Sequence, residues 1–336
     1  MSHSRRRKRR GLSRLQIFLL VVLIVLSALY ASLRCYLQWE PEQKEAEAPP
    51  TEEVVQTSDE QSPEEQAAAE ALRSHQERKA QFYTILISGV DDGNGNSDTN
   101  ILVAVDAKNG YVYGVSIPRD TKAVYNGKSH KINAAYGSGG AAKLAEVISD
   151  QLGIPVDYTV KVDLKGFSAL VDAIGGVDFN IPVNMDYDDP YQDLSIHFSK
   201  GMRHLTGSEA LKVVRFRHNN DGTGYGSEDI GRMQTQQNFL KAVAKQTLTV
   251  SNLTKVDTFV KIFNQYVETD LSLGNLAWLG GEVIQMGADN VNFSTLPGDW
   301  KSPYIYLNRD EVLTLVNQYL NPYVEDRVEE DLNIPS

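Results

Sequence analysis

Arginine side chains in the middle of the chain could bind a multiply charged anion. Arg215 and Arg217 stand two residues apart in the stretch VVRFRHNNDGTGYGSEDIGR, which covers residues 213–232 and ends at Arg232. Side chains two residues apart on an extended segment share a face, so both guanidinium groups should point together and Phe216 toward the core. A guanidinium group can bind two phosphate oxygens at once. The stretch therefore predicts a diphosphate site beside a flexible loop, with a solvated basic edge as the alternative.

Carboxylates follow directly after the first apolar run of the ordered region. Asp91, Asp92 and Asp98 lie in SGVDDGNGNSDTN, residues 88–100, between two runs typical of buried strands. Mg²⁺ prefers oxygen ligands and usually takes one or two carboxylates while keeping water or phosphate. These residues are therefore candidates for a Mg²⁺ site. The same pattern also fits an acidic turn whose Asp and Asn side chains bond to the local backbone.

Two further basic side chains stand beside predicted elements. Arg119 follows Pro118 at the end of a predicted strand, and it should project from the sheet edge because the residue before a proline favours extended geometry. Lys131 precedes a Gly-rich entry into a predicted helix, where exposed amides suit phosphate. As an alternative to a functional role, Arg119 could form a surface ion pair with Asp120, and Lys131 could be an ordinary solvated lysine. The sequence contains no GxSxG or HExxH pattern, which argues against those hydrolase classes.

The elements that must position these residues alternate between strand and helix. Thr206 and Glu209 have the spacing of a capping box, which predicts the start of a helix. The pattern predicts one α/β domain over residues 80–325, with three α-β-α layers around a mixed central sheet and helices on both faces. The other predicted strands cover residues 82–90, 158–164, 177–182 and 291–297, with a hairpin at 99–118, and the other predicted helices cover residues 138–153, 166–176, 232–248, 253–267, 276–286 and 308–320.

The ends of the chain differ from this domain in composition. Residues 1–14 form a basic tail, and the apolar residues 15–37 are long enough to cross the hydrocarbon core of a membrane. Because basic residues precede this predicted transmembrane helix, the N-terminus is expected in the cytoplasm and the domain outside it. Residues 38–79 are predicted to be an acidic, flexible linker, and residues 326–336 a C-terminal tail.

Charge and cysteine content limit the possible partners and cross-links of the protein. The formal net charge is -11. Residues 1–35 contain eight of the 33 Lys and Arg, so the rest of the chain contains 25 of them and all 44 Asp and Glu. An acidic domain argues against nucleic acid as a partner, because such binding requires a basic surface. The single cysteine, Cys35, allows no intrachain disulfide.

The order of several motifs resembles the LytR-CpsA-Psr family of bacterial cell envelopes. The resemblance covers residues 82 to about 248. The matching motifs, in chain order, are ILISGVD, SDTNILVAVD, VSIPRDT, HKINAAYGSGG, GIPVDYTVKVDLKGFSALVDAIGGVDF, GMRHLTGSEALKVVRFR and DIGRMQTQQ.

This resemblance implies a membrane-anchored, Mg²⁺-dependent phosphotransferase. Such enzymes move a glycopolymer, such as a teichoic acid or a capsular polysaccharide, from a polyprenyl (usually undecaprenyl) pyrophosphate carrier to a peptidoglycan sugar hydroxyl. The product is a phosphodiester. The implied location is the cell membrane, crossed once, with the catalytic domain extracellular. Two alternatives are a pyrophosphatase acting on the same donor and a non-catalytic assembly protein that binds lipid pyrophosphates.

The resemblance also implies roles for single residues. Asp91 and Asp98 match metal-associated acids, and Asp98, Arg119 and Asp229 are the catalytic candidates. The implied pyrophosphate contacts are Arg119, Lys131, Arg215, Arg217, Arg232 and Gln236.

Two positions depart from the family pattern. Asn96 and Thr235 stand where many members have arginine. The loss of two positive groups could weaken pyrophosphate binding or indicate a different donor.

Overall fold

The computed structural model describes residues 38–44, 76–90, 95–190, 194–225, 228–247, 249–253 and 255–336. The predicted tail (residues 1–14) and transmembrane helix (residues 15–37) lie outside these ranges. Within them, none of the helices has the length and apolar character needed to span a bilayer. The chain divides into two compact units, residues 1–41 with 272–280 and residues 42–271 with 281–336.

The first unit is described over residues 38–41 and 272–280. The side-chain amide of Asn275 donates to the backbone carbonyl of Trp39 at 3.0 Å. The Trp39 ring lies against Gly274, where an added Cβ would come within 2.9 Å of the ring.

Strands and helices alternate along the described chain. The strands are β1 Phe82–Val90, β2 Ser97–Asp106, β3 Tyr111–Ile117, β4 Lys122–Tyr125, β5 Lys128–Lys131, β6 Tyr158–Asp163, β7 Val177–Ile181, β8 Met185–Asp189, β9 Leu194–Phe198, β10 Gly201–Leu205, β11 Val267–Thr269, β12 Val291–Thr295, β13 Gly298–Lys301 and β14 Tyr304–Leu307. The helices are α1 Asn133–Leu152, α2 Leu164–Ala173, α3 Gly207–Arg215, α4 Glu228–Thr247, α5 Val250–Leu253, α6 Val256–Tyr266, α7 Leu273–Met286 and α8 Arg309–Leu315, and a π-helical turn at Val316–Leu320 follows α8.

Six of the described strands form a mixed central sheet in the order β11-β6-β1-β2-β3-β12. Strand β1 pairs antiparallel with β2 and parallel with β6. Strand β3 pairs antiparallel with β2 and parallel with β12. The carboxyl ends of β1, β3, β6 and β12 therefore lie at the same edge of the sheet, where β2 begins. This confirms the predicted α/β fold with a mixed central sheet.

Both faces of the sheet are buried. Phe82 and Leu86 of β1 belong to one apolar core together with Leu144 and Ile148 of α1. Residues on the opposite face, such as Ile85, are also less than one tenth exposed. Side chains alternate between the two faces of a strand, so burial of both sets requires cover on each side.

A second apolar core lies under helices α2, α3 and α4. Phe239 of α4 is fully buried and packs its ring against Phe179 of β7 at 5.1 Å between centroids. Val213 and Phe216 belong to the same core and fix the end of α3. This core holds the helix that carries Arg215 against the helix that carries Gln236.

Residues at the two ends of the predicted linker contact the domain. Asp157 is fully buried and accepts hydrogen bonds from the Arg78 guanidinium at 2.8 and 3.0 Å. The Lys44 backbone amide donates to the same carboxylate at 2.9 Å, and the Thr84 amide does so at 2.8 Å. This arrangement, the Asp157 network, ties residues 44 and 78 to the start of β6.

The predicted C-terminal tail also packs on the domain. Leu332 and Ile334 are buried in the core that contains α1. The Arg309 guanidinium donates to the backbone carbonyls of both residues at 2.8 Å. These contacts fix the last residues of the chain beside α8.

Candidate active site

The candidate site lies at the edge of the sheet where the parallel strands end. Strand β1 ends at Val90, one residue before Asp91, and residues 91–94 lie outside the described chain. Asp98 is the second residue of β2, and this strand begins at the same edge. Arg119 follows the end of β3, which is Ile117. Ligands of α/β proteins commonly bind outside the carboxyl ends of strands, so topology alone brings these groups together.

Four charged side chains alternate in sign along this edge, and we call them the charged row. The Arg119 Nη1 atom lies 3.2 Å from an Asp98 oxygen, and its Nε atom lies 4.0 Å from Asp120. The Lys131 ammonium lies 2.8 Å from the other Asp120 oxygen. All four side chains are between 23% and 41% exposed. Ion pairs this exposed contribute little to stability, so an entering anion can replace them.

A hairpin positions Lys131. Strands β4 and β5 pair antiparallel, with Lys131 opposite Lys122. They turn at Asn126 and Gly127, whose φ angles are +51° and +70°. Two consecutive positive φ angles and an Asn-Gly sequence are typical of a type I′ turn. This dipeptide is the signal by which the hairpin, and the approach of Lys131 to Asp120, could have been predicted.

The prediction that Arg215 and Arg217 lie on one extended segment is wrong. Helix α3 runs to Arg215, and Phe216 is extended. The predicted capping box of Thr206 and Glu209 is present and starts the helix. The Phe216 amide still donates to a helical carbonyl, which carries the helix through Arg215. As predicted, Phe216 is fully buried.

Helix α4 connects the arginine segment to the strand that precedes Arg119. The Gln236 side-chain amide donates to the Val214 carbonyl at 3.0 Å. The next residue, Gln237, donates to the Thr295 hydroxyl of β12 at 2.8 Å. Thr295 lies opposite Ser116 of β3, three residues before Arg119. One turn of α4 therefore spans the gap between α3 and the sheet edge.

Asp229 and Arg232 lie in the first two turns of α4, and their side chains lie outside the description. Arg232 precedes Gln236 by four residues, which is about one helical turn. The backbone therefore places Arg232 on the same side of α4 as Gln236.

The loop after Arg217 is held against β8, although the sequence predicts a flexible loop. The Asp186 amide donates to the side-chain oxygen of Asn219 at 2.7 Å. Asn220 accepts from the Asp188 amide at 2.6 Å and donates to the Asp188 carbonyl at 3.0 Å. Sequence reasoning missed these two asparagines, because their partners lie more than thirty residues away along the chain.

A pocket of about 350 Å³ opens at the same edge, beside β6 and β11. Lys161 and Glu268 form an ion pair within it at 2.9 Å, and the hydrogen bond that Lys161 donates to Glu268 raises the pKa of Lys161. Burial raises the pKa of the Tyr136 hydroxyl. We call this cavity the tyrosine pocket; its lining includes Tyr136, Lys161, Asp163, Gln265, Tyr266 and Glu268.

Within the described ranges, no group of three or more His, Cys, Asp or Glu side chains is arranged to hold a metal ion. Asp98 is the described member of the predicted metal pair, and it contacts Arg119. Asp91 lies outside those ranges.

The two positions that depart from the family pattern have local roles. Thr235 is buried, and its hydroxyl donates to the Gly231 carbonyl at 2.8 Å. The Asn96 side-chain oxygen lies beside Gly137 of α1, where an added Cβ would be 2.5 Å away. Glycine at position 137 therefore permits this close approach.

Comparison with known proteins gives consistent matches. The model of the LytR_cpsA_psr family matches residues 50–321. A polyisoprenyl-teichoic acid–peptidoglycan teichoic acid transferase, TagU of Bacillus cereus, is 39% identical over 199 residues, or 58% of this chain and 62% of the relative. The corresponding transferase TagV of Bacillus subtilis is 35% identical over 205 residues, or 58% of this chain and 51% of the relative. The matched part thus spans less than two thirds of either relative.

The fold also matches solved structures. The crystal structure of B. subtilis TagV superposes with a TM-score of 0.60 at 28% identity, covering 74% of this chain and all of that one. The crystal structure of B. subtilis TagU superposes with a TM-score of 0.53 at 26% identity, covering 74% of this chain and 99% of that one.

Proposed function

Because this chain belongs to the LytR_cpsA_psr family, we propose that it transfers a glycopolymer from a polyprenyl-pyrophosphate carrier to a sugar hydroxyl of peptidoglycan. The relatives named above are transferases of teichoic acid from a polyisoprenyl carrier to peptidoglycan. Teichoic acid is thus the first glycopolymer to test, and a capsular polysaccharide is the second.

The observation that carries the proposal is the charged row at the carboxyl edge of the sheet. Arg119 and Lys131 are exposed enough to turn toward a diphosphate, and each now contacts a carboxylate. Arg215 lies in the segment that Gln236 ties to α4. Arginine and lysine stabilise the charge that develops on phosphoryl oxygens, which is the main requirement of phosphoryl transfer.

In the proposed reaction, the acceptor hydroxyl oxygen bonds to the sugar-side phosphorus. The bond from that phosphorus to the bridging oxygen breaks, and polyprenyl phosphate leaves with the bridging oxygen. In this structure the Arg119 guanidinium donates a hydrogen bond to the Asp98 carboxylate. When Arg119 binds the phosphate oxygens instead, it releases Asp98. Asp98 then accepts the hydroxyl proton. Asp229, on the first turn of α4, is the second candidate for this proton.

Mg²⁺ fits the donor set at this edge. Asp98 offers a partly exposed carboxylate, and Asp91 would offer a second one from the end of β1. Mg²⁺ commonly takes one or two carboxylates and completes its shell with phosphate and water. When bound, the ion would neutralise part of the charge of the pyrophosphate.

The predicted transmembrane helix, residues 15–37, would anchor the domain at the outer membrane face, where a lipid-linked donor is accessible.

Arg217 and Arg232 complete the proposed anion site from the two ends of the loop that joins α3 to α4.

A transfer assay tests the proposal. The full chain in detergent micelles receives Mg²⁺, a lipid-linked glycan and a peptidoglycan oligomer. We expect a glycan–peptidoglycan phosphodiester and free polyprenyl phosphate. If phosphorylated glycan is released equally without acceptor, the protein is a pyrophosphatase. If the donor binds but is never turned over, it is a binding protein. Either result refutes the proposal.

A further inference from the structure

The tyrosine pocket is lined by residues of β6, β11, α1 and α6, and neither the anion site nor the proposed metal uses it. We propose that it binds a sugar ring of the acceptor glycan strand. This inference rests on the proposed function. It adds the part of the site that holds the acceptor before its hydroxyl reaches the phosphorus.

The charges of the pocket favour a neutral ligand. Lys161 is its single cationic side chain among the lining residues, and Glu268 already bonds to it at 2.9 Å. Asp163 adds a second carboxylate. The lining is thus net negative, so a pyrophosphate would be repelled from it.

The remaining groups suit a polyol with apolar C–H faces. Tyr136 and Tyr266 offer aromatic rings with polar tips, which can pack on a sugar while their hydroxyl groups bond to it. The Asp163 and Glu268 oxygens accept hydrogen bonds, and the Gln265 amide both donates and accepts. A sugar with hydroxyl and N-acetyl groups offers partners of both kinds.

Tyr266 packs closely against helix α2. A Cβ added at Gly166 of α2 would lie 2.4 Å from the Tyr266 side chain. Only glycine at position 166 therefore permits this packing. The base of the Tyr266 side chain is thus packed against α2 at the wall of the pocket.

The strand order places the pocket two strands from Asp98. The pocket is bounded by β11, β6 and Val90 of β1, while Asp98 is on β2 and Arg119 follows β3. Neighbouring strands lie about 4.8 Å apart, so β6 and β2 are about 10 Å apart. A sugar in the pocket could thus be followed along the glycan by one whose hydroxyl approaches Asp98.

A row of polar side chains runs from the pocket to β2. Lys161 of β6 lies beside Ser88 of β1, and Ser88 lies beside Asn100 of β2. Ser88 and Asn100 are fully buried, and their side chains have no hydrogen-bond partner among the described residues. Asp98 is the extra residue of a β-bulge, because Gly89 lies opposite Thr99 and Val90 lies opposite Ser97, so the row ends at Asn100. The sheet is therefore polar from the pocket as far as β2.

The first test measures binding without donor. Full-length protein in detergent micelles is titrated with a soluble peptidoglycan oligosaccharide by calorimetry. We expect Gln265→Ala and Glu268→Gln each to raise the Kd about three- to tenfold, as the loss of one hydrogen bond would. Gln285→Ala and Glu330→Gln change exposed residues of the same types outside the pocket and should leave the Kd within twofold. Equal Kd values for pocket and control variants would overturn the proposal.

The second test separates acceptor from donor. In the transfer assay, the pocket variants should raise the KM for the acceptor by the same factor and leave the KM for the lipid-linked donor unchanged. An increase confined to the donor KM would assign the pocket to the donor glycan and overturn the proposal. A wild-type protein that binds the oligosaccharide through the pocket but transfers nothing would refute the proposed function and leave this inference standing.

Discussion

Lys131 gives the sharpest test of the charged row. Replacing it by methionine removes one cation from the proposed diphosphate site and leaves Asp120 without its partner at 2.8 Å. A hydrogen bond to a charged group is worth about 1.5–3 kcal/mol, and the exposure of Lys131 places the loss near the lower end. Since about 1.4 kcal/mol is a factor of ten, kcat/KM for the donor should fall about ten- to thirtyfold. The free energy of unfolding should change by less than about 1 kcal/mol, because the pair is exposed.

The assay is steady-state transfer with varied donor at two salt concentrations. Lys131→Arg keeps the charge and should restore most of the activity, while Lys128→Met on the same strand is the matched control, since Lys128 is exposed at the turn end of β5. The salt dependence of the donor KM should be weaker in Lys131→Met than in the wild type. If Lys131→Met stays within twofold of the control, Lys131 does not bind the donor and the reasoning from the charged row is wrong.

Three further predictions concern stability. Asp157→Asn should lower the free energy of unfolding by about 3–5 kcal/mol in urea titrations, because it leaves the mostly buried Arg78 without its charge partner; a change below about 1 kcal/mol would contradict this. Thr206→Ala should cost about 1 kcal/mol by the same measurement, because it removes the cap of α3, and Thr206→Ser should cost less. Hydrogen bonding to Asp186 raises the pKa of His197 above its usual 6.5, so the protonated form is stabilised by folding. The unfolding midpoint of the wild type should exceed that of His197→Gln. This difference should be largest below about pH 6.5 and should disappear as the pH rises through the raised pKa of His197. A difference that grows with pH would refute the prediction.

Local signals in the sequence predicted much of the fold. The apolar run of β1 has the bounds that the structure shows, because a strand buried on both faces is apolar at nearly every position. Thr206 with Glu209 correctly predicted where α3 starts, and Gly153, with φ of +65°, ends α1 as expected. Each of these signals depends on residues that are neighbours along the chain.

The errors come from interactions between distant residues. The stretch around Arg215 has no residue that ends a helix, so its pattern alone could not separate a helical end from an extended segment. Asn219 and Asn220 bond to the backbone of β8, and side chain-to-backbone contacts of this kind leave no pattern at the partner. The approach of Arg119 to Asp98 depends on strand order, which the sequence predicts only as a class of sheet.

The Asp157 network decides how mechanical load would enter the domain. The first residue of the chain to contact the network is Lys44, whose amide bonds to Asp157. Asp157 stands directly before β6, and its amide donates to the Thr84 carbonyl of β1 at 2.8 Å. A pull on residue 44 would therefore be shared by two adjacent parallel strands in shear, and it would not separate β1 from its neighbour one hydrogen bond at a time. The edge that carries Asp98 and Arg119 would lie at the unloaded end of those strands.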